Sequence, residues 1–576
     1  MRRILFIFTL LVFSHSSFSQ FTQADTLRGS LREERTCFDV KYYHLNIDVD
    51  TLNQSILGYN EILFLTLENT ERIQIDLFAN MIIDSIVFRR MHLDFKREFN
   101  AVFVDFPGTI LKDNVEKIKV YYHGKPIQAK KAPWDGGFVW RRDKNGKLWM
   151  GVACEGIGAS LWWPNKDHLS DEPDSMRITC TVPEGLQCIS NGNLEKEEGQ
   201  KSVNKGQGVN NSTQTFHWKV SYPINNYNVT LNIGDYVHFQ EYYVSGKDSM
   251  SCDYYVLPYN LEKAKVQFKQ VKPMLKIYED LFGRYPFWND GYALVETPYL
   301  GMEHQGAIAY GNKYRPGYNG HVDSALASLG VNFDYIIIHE SGHEYWGNSV
   351  SINDIADMWI HEGFCTYTEA LYVEKMYGYD AALKYMEVMK RGIDNDKAII
   401  GTYGVNNEGS SDMYPKGAWM LYTIRNVMNN DSLWFACLKG IQEEFKMKNV
   451  TTDEIRVYME KVLKIRLGNF FQAYLHNSEI PLLNVIVDKG FLKNKVYFSF
   501  DPKYREFFSV AYSIDNGKIW NNVDFNVLVP MCDRGLFTKK IEWKNEITLT
   551  KKQFKNLRFN NHLFLYDVKF SKAAKK

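Results

Sequence analysis

The chain has 576 residues, 45% of them hydrophobic and 24% charged, which is too apolar for a disordered chain and too long for one ordinary domain. Its 68 lysines and arginines balance 68 aspartates and glutamates, so no large basic footprint points to nucleic acid. Eight cysteines in this length do not make a disulfide-dense scaffold.

The chain opens with Arg2 and Arg3, an apolar run over residues 4–13 and a small-residue stretch through Ser17 and Ser19. About ten apolar residues are half of what spans a bilayer, so residues 1–19 read as a secretory signal peptide. The expectation is a protein exported to the periplasm or the extracellular space. No later stretch offers 18 consecutive apolar residues, so no transmembrane segment is expected in the mature chain. Residues 20–238 read as a β-domain, with alternating apolar and polar residues at 42–50, 60–67, 117–122 and 177–182. Residues 195–212 are polar and glycine-rich, as a loop or hairpin tip is.

From residue 239 to residue 480 the spacing of apolar residues becomes helical, at 261–282, 334–345, 362–377, 416–428 and 453–476. Pro481 marks a break, and residues 481–576 return to strand patterns, for which a small C-terminal β-sandwich is expected. The fold class is therefore multidomain α+β. Cys180 and Cys188 are close enough in sequence to bridge a turn and equally suit buried thiols.

One segment carries chemistry: His339-Glu340-Ser341-Gly342-His343. Positions four apart on a helix share a face, so both imidazoles reach one metal ion, and Glu340 lies beside the first of them. A catalytic zinc site keeps three protein ligands and one open position. Glu362, nineteen positions beyond His343, supplies the third from the start of a second helix. His361 is a rival ligand, but neighbouring helix positions face different ways. Glu369 lies seven positions on, where it either orients a ligating histidine or is an ordinary exposed acid.

This pattern resembles the gluzincin metallopeptidases, and more narrowly the M1 aminopeptidases related to aminopeptidase N and leukotriene A4 hydrolase. The likeness extends over Trp346-Gly347-Asn348 and the segment from Trp359 to Phe364. It includes Leu300-Gly301-Met302-Glu303-His304, in place of that family's Gly-x-Met-Glu-Asn motif, and Tyr414-Pro415-Lys416-Gly417, similar to its Tyr-x-Lys-Gly element. The resemblance implies an N-terminal β-domain, a thermolysin-like, mainly helical catalytic domain and a C-terminal β-sandwich. It implies one Zn2+ per chain held by His339, His343 and Glu362, and a peptidase that releases N-terminal residues with a zinc-activated water. Glu340 would act as the base and Tyr414 as oxyanion donor, while Glu303, with Gly301 and Met302 beside it, would hold the free amino terminus of a peptide substrate. Glu155, in Cys154-Glu155-Gly156, is the second candidate for that amine. Leu300 and His304 depart from the family motif at its two ends, where they bear on the detailed geometry of the substrate subsites. His304 is also a conceivable extra metal ligand.

Rival readings are an epoxide hydrolase of the leukotriene A4 hydrolase kind and a catalytically silent peptide-binding relative. An endopeptidase is a third, if Glu303 stands elsewhere. The preferred N-terminal residue and the oligomeric state stay open at this level.

Overall fold

The computed structural model describes residues 21–200, 212–500, 510–515, 521–523 and 545–572. The signal-peptide expectation for residues 1–19 falls outside them. The N-terminal part is built on an eight-stranded sheet. Its inner strand Phe38–Asp50 pairs antiparallel with Ser55–Thr66 and parallel with Ser175–Pro183. The buried side chains switch from Phe38 and Val40 to Tyr43, Leu45, Ile47 and Val49, because a bulge between Val40 and Tyr42 changes the parity of the strand. That bulge explains why the alternation is only partial in the sequence. The polar stretch expected as a loop or hairpin tip begins as strand Asn193–Gln200, hydrogen-bonded antiparallel to Thr213–Val220, and residues 201–211 between them lie outside the described residues. A four-stranded sheet contains Leu148–Ala153, which delivers Cys154, Glu155 and Gly156 at its end.

A five-stranded sheet opens the next region, in the order Val237–Ser245, Asp248–Val256, Tyr292–Glu296, Ile308–Tyr310 and Gly301–Met302. Helices follow, of which four matter here: α1 (Tyr335–Gly342), α2 (Trp359–Tyr377), α3 (Tyr379–Lys390) and α4 (Pro415–Met428). The stretch read as helical over 453–476 forms two helices, Thr452–Leu463 and Gly468–Leu475, because Lys464 turns left-handed at φ 58° and ends the first. Beyond Pro481, a four-stranded sheet contains Leu482–Lys489, Lys493–Phe500, Asn545–Thr550 and Asp567–Lys572, and a three-stranded sheet accompanies it. The fold is therefore multidomain α+β, with a β-rich N-terminal part, a helical middle and C-terminal sheets.

Two large cores hold these parts together. One joins the helices to Leu483, Val485 and Val496 of the C-terminal sheets and to Leu565 just before the last strand. The other fills the N-terminal sheets and takes in Met302 and Ala309 from the helical region's sheet. The edge strand Gly301–Met302 thus lies where the two cores meet. Cys180 and Cys188 are buried, unbridged thiols. No helix among the described residues is long and apolar enough to cross a membrane.

Candidate active site

Helix α1 is short, and its start is fixed by Asp334, whose carboxylate accepts hydrogen bonds from Tyr310 Oη at 2.6 Å and the Ile336 amide at 3.2 Å. Ile336, Ile337 and Ile338 bury the helix, which places His339 and His343 side by side with their Nε2 atoms 3.2 Å apart. Glu362 enters from the first turn of α2, its Oε2 3.5 Å from both Nε2 atoms. That oxygen has no hydrogen-bond partner among the described residues. The outer ring nitrogens are engaged: His339 Nδ1 is 2.6 Å from Glu369 Oε1, and His343 Nδ1 is 2.9 Å from the Trp346 carbonyl oxygen. Both acceptors hold a proton on Nδ1 and turn the Nε2 lone pair inward. Three inward donors of this chemistry fit a zinc ion with an open fourth position.

Charge in this site is set by burial against close partners. At His339, burial disfavours the cation, but Glu362 and Glu369 outweigh it and raise the imidazole well above its usual range in the metal-free protein. At Glu362, burial opposes ionisation, yet His343 and His339 hold the carboxyl below its ordinary range. Glu369 is buried rather than an exposed helix acid, and its second oxygen accepts from Tyr385 Oη.

The other acids gather around this triad. Oxygens of Glu303 and Glu340 and a nitrogen of His343 lie within 4.8 Å of one another, as do oxygens of Glu155, Glu303 and Glu362. Burial pushes Glu340 up to about 7, a value suited to a group that must take and return a proton near neutrality. A Cβ at Gly301 would stand 2.4 Å from Glu340 Oε1, so only glycine lets the edge strand come this close to the base. Met302 is buried in the N-terminal core and anchors that strand. Burial also raises Glu303 and Glu155, each further raised by neighbouring carboxylates. Four carboxylates against two imidazoles leave a site that calls for cations: a metal ion and an ammonium group.

Glu155 is placed from two sides. The carbonyl of Gly156 accepts from Arg28 Nη2 and from Asn406 Nδ2, both at 3.2 Å. The Glu155 loop is thereby tied to the N-terminal helix Gln23–Gly29 and to a loop of the helical region. Tyr414 stands at the entrance of α4, its ring 6.2 Å from that of His339. Burial and then Glu362 raise its phenol well above the usual range, so it stays a proton-bearing donor. His304 is fully buried, with neither ring nitrogen hydrogen-bonded among the described residues, and burial lowers it to about 3. Neither His304 nor His361 belongs to the groups of converging metal-ligand atoms among the described residues.

Sequence reasoning missed three contributors. Tyr227 Oη donates to Glu303 Oε1 at 3.0 Å. Asn348 Nδ2 donates to the Glu303 carbonyl at 2.9 Å. Tyr335 stacks on His339 with centroids 5.2 Å apart. Tyr335 precedes His339 by one helical turn, which is a usable signal. Nothing local in Asn225-Asn226-Tyr227-Asn228 announces a contact with Glu303.

Residues 266–474 match the family model described as Peptidase family M1 domain. Among curated proteins, the chain is 24% identical to leukotriene A-4 hydrolase of Xenopus laevis over 241 residues, 38% of this chain and 37% of that protein. It is 23% identical to human (Homo sapiens) aminopeptidase Q over 265 residues, 40% of this chain and 26% of that one. It is 22% identical to glutamyl aminopeptidase of Bos taurus over 358 residues, 58% of this chain and 35% of that one. The matched stretches thus span well under half the length of these relatives. Among solved structures, an M1 zinc metallopeptidase of Deinococcus radiodurans superposes with a TM-score of 0.62 at 18% identity, covering 77% of this chain and 94% of the other. A mutant M1 zinc metallopeptidase of that organism bound to a Tyr-Ser-Ala substrate gives 0.62 at 17% identity, covering 77% and 96%. At these identities the superpositions speak for the fold.

Proposed function

We propose that this chain, which carries a Peptidase family M1 domain at residues 266–474, is a zinc aminopeptidase that releases N-terminal residues from peptides. The observation that carries the reading is the convergence of His339, His343 and Glu362 next to the Glu155–Glu303 carboxylate pair. Zinc bound by that triad supplies a Lewis acid that acidifies water and polarises a carbonyl oxygen. Glu340 takes the proton of the attacking water and hands it to the leaving amine. Tyr414 donates its phenolic hydrogen to the oxyanion that attack creates on the substrate carbonyl. Glu303 and Glu155 hold the α-ammonium, an interaction that an internal peptide bond cannot offer, and this selects chain ends.

Support for an active enzyme rather than a silent binder is that the triad, Glu340 and Tyr414 are all present and gathered at one site. The carboxylate pair beside the triad favours a peptide amine over an epoxide. Residues 1–19 support export to the periplasm or beyond as part of the same proposal.

The test is hydrolysis of amino-acyl amides with free or acetylated amines, with and without a zinc chelator. Turnover that needs both the free amine and the metal is expected, and the panel then reads out side-chain preference. Turnover of acetylated substrates would remove Glu303 from its anchoring role and favour an endopeptidase. No turnover of either set by zinc-loaded protein would overturn the peptidase reading.

A further inference from the structure

Residues 481–576 hold 18 lysines and arginines against 9 aspartates and glutamates, within a chain of zero net charge. The C-terminal part is thus basic to the degree that the rest is acidic. At one end of its larger sheet this charge meets exposed apolar groups. Strands Leu482–Lys489 and Lys493–Phe500 are joined by a tight turn in which the Gly490 amide donates to the Lys493 carbonyl at 3.0 Å. At its tip, Phe491 is 91% exposed and Leu492 76%. Lys489 and Lys493 flank them, both exposed. The strand register adds more cations at the same end. Lys493 pairs with Thr550, which sets Lys551 beside the turn with its ammonium 5.9 Å from the Phe491 ring. Val487 pairs with Lys572. None of these four lysines is ion-paired among the described residues, and Asp488 is the exposed acid beside them.

The other end of the sheet is the one fixed to the catalytic helices. The Leu565 amide donates to Thr423 Oγ1 at 3.0 Å, and Asn426 Nδ2 donates to the Leu563 carbonyl at 3.0 Å. Both Leu482–Lys489 and Asp567–Lys572 start there and run parallel, so the turn stands about 25 Å further out at ~3.3 Å per residue.

We propose that this turn and its lysines dock the protein on an anionic lipid bilayer. Two apolar side chains on a projecting turn can dip below the headgroups while the lysine amines stay at phosphate level. A soluble polyanion would use the same charges but leave Phe491 and Leu492 in water. The docked orientation keeps the metal triad on the far side of the sheet junction, free to meet soluble peptides.

The experiment is co-sedimentation of the purified chain with vesicles of phosphatidylcholine alone and of phosphatidylcholine mixed with phosphatidylglycerol. Binding is expected only to the mixed vesicles, and added salt should weaken it. In the Lys489→Gln/Lys493→Gln variant, each substitution should lower the partition constant about fivefold. Phe491→Ser/Leu492→Ser should lose vesicle binding and retain hydrolysis of a soluble substrate and the parent's circular dichroism. Equal binding to both vesicle types, no binding, or parent-like binding by either variant would overturn the proposal. So would capture by soluble heparin without capture by vesicles.

Discussion

Glu303 is held by groups from both the N-terminal part and the helical region. Tyr227, on the short turn Asn226–Asn228, donates to its Oε1, and Asn348 of the helical region fixes its backbone carbonyl. Asn228 Nδ2 in turn donates to Asn348 Oδ1 at 2.6 Å, so one three-residue turn reaches the amine anchor by two routes. Hydrogen bonds to a charged acceptor contribute about 1.5–3 kcal/mol. Tyr227→Phe should therefore raise KM for amino-acyl amides roughly tenfold, with a smaller change in kcat, because the bond positions the ammonium rather than the reacting carbonyl. Steady-state kinetics decide this. A fall in kcat at unchanged KM would place Tyr227 in the chemistry instead.

Helices α2 and α4 cross at two glycines, and this crossing sets the distance between Glu362 and Tyr414. A Cβ on Gly417 would lie 3.0 Å from the Gly363 Cα, and one on Gly363 would lie 3.2 Å from the Gly417 Cα. Gly417→Ala should push the helices apart, lower stability by about 1–3 kcal/mol and reduce kcat as Tyr414 withdraws. Zinc content should stay at one per chain, because two of the three ligands stand on α1 and its C-cap. Loss of metal together with activity would show that the crossing supports the triad as well. The metal triad itself was legible in the sequence, since His339 and His343 are related by local helical periodicity and Glu362 opens the next helix. The crossing was only partly legible: the Tyr-x-Lys-Gly likeness marks Gly417, but nothing local says that Gly363 is its partner. The break at Lys464 was hidden because apolar spacing continues across it, and a left-handed residue leaves no periodic trace. Tyr227 was hidden for a deeper reason: its contact with Glu303 spans 76 positions and exists only once two cores are joined.

The joining of those cores should itself respond to pH. Glu172 comes from the N-terminal part and meets the helical region beside Ser351. Asn225 Nδ2 lies 3.4 Å from both Glu172 Oε1 and Ser351 Oγ, and hydrogen bonds from Ser351 and Asn225 offset the burial of the acid only in part. Burial pushes its carboxyl up to about 8 from an ordinary value of 4.5. Between those values the folded protein keeps a proton that the unfolded chain has lost. Stability from this group is thus complete below 4.5 and declines as pH rises through about 8. Glu172→Gln keeps the neutral, hydrogen-bonding form at every pH. The variant should match the parent near pH 4 and exceed it in alkaline buffer, by a few kcal/mol near pH 9. Calorimetric melting of both proteins across that range reads the difference, with the metal kept saturating so that the triad contributes equally. If the variant melts below the parent at alkaline pH, the carboxylate is ionised and stabilised where the two parts meet. The two parts would then be held together there by charge rather than by a buried proton.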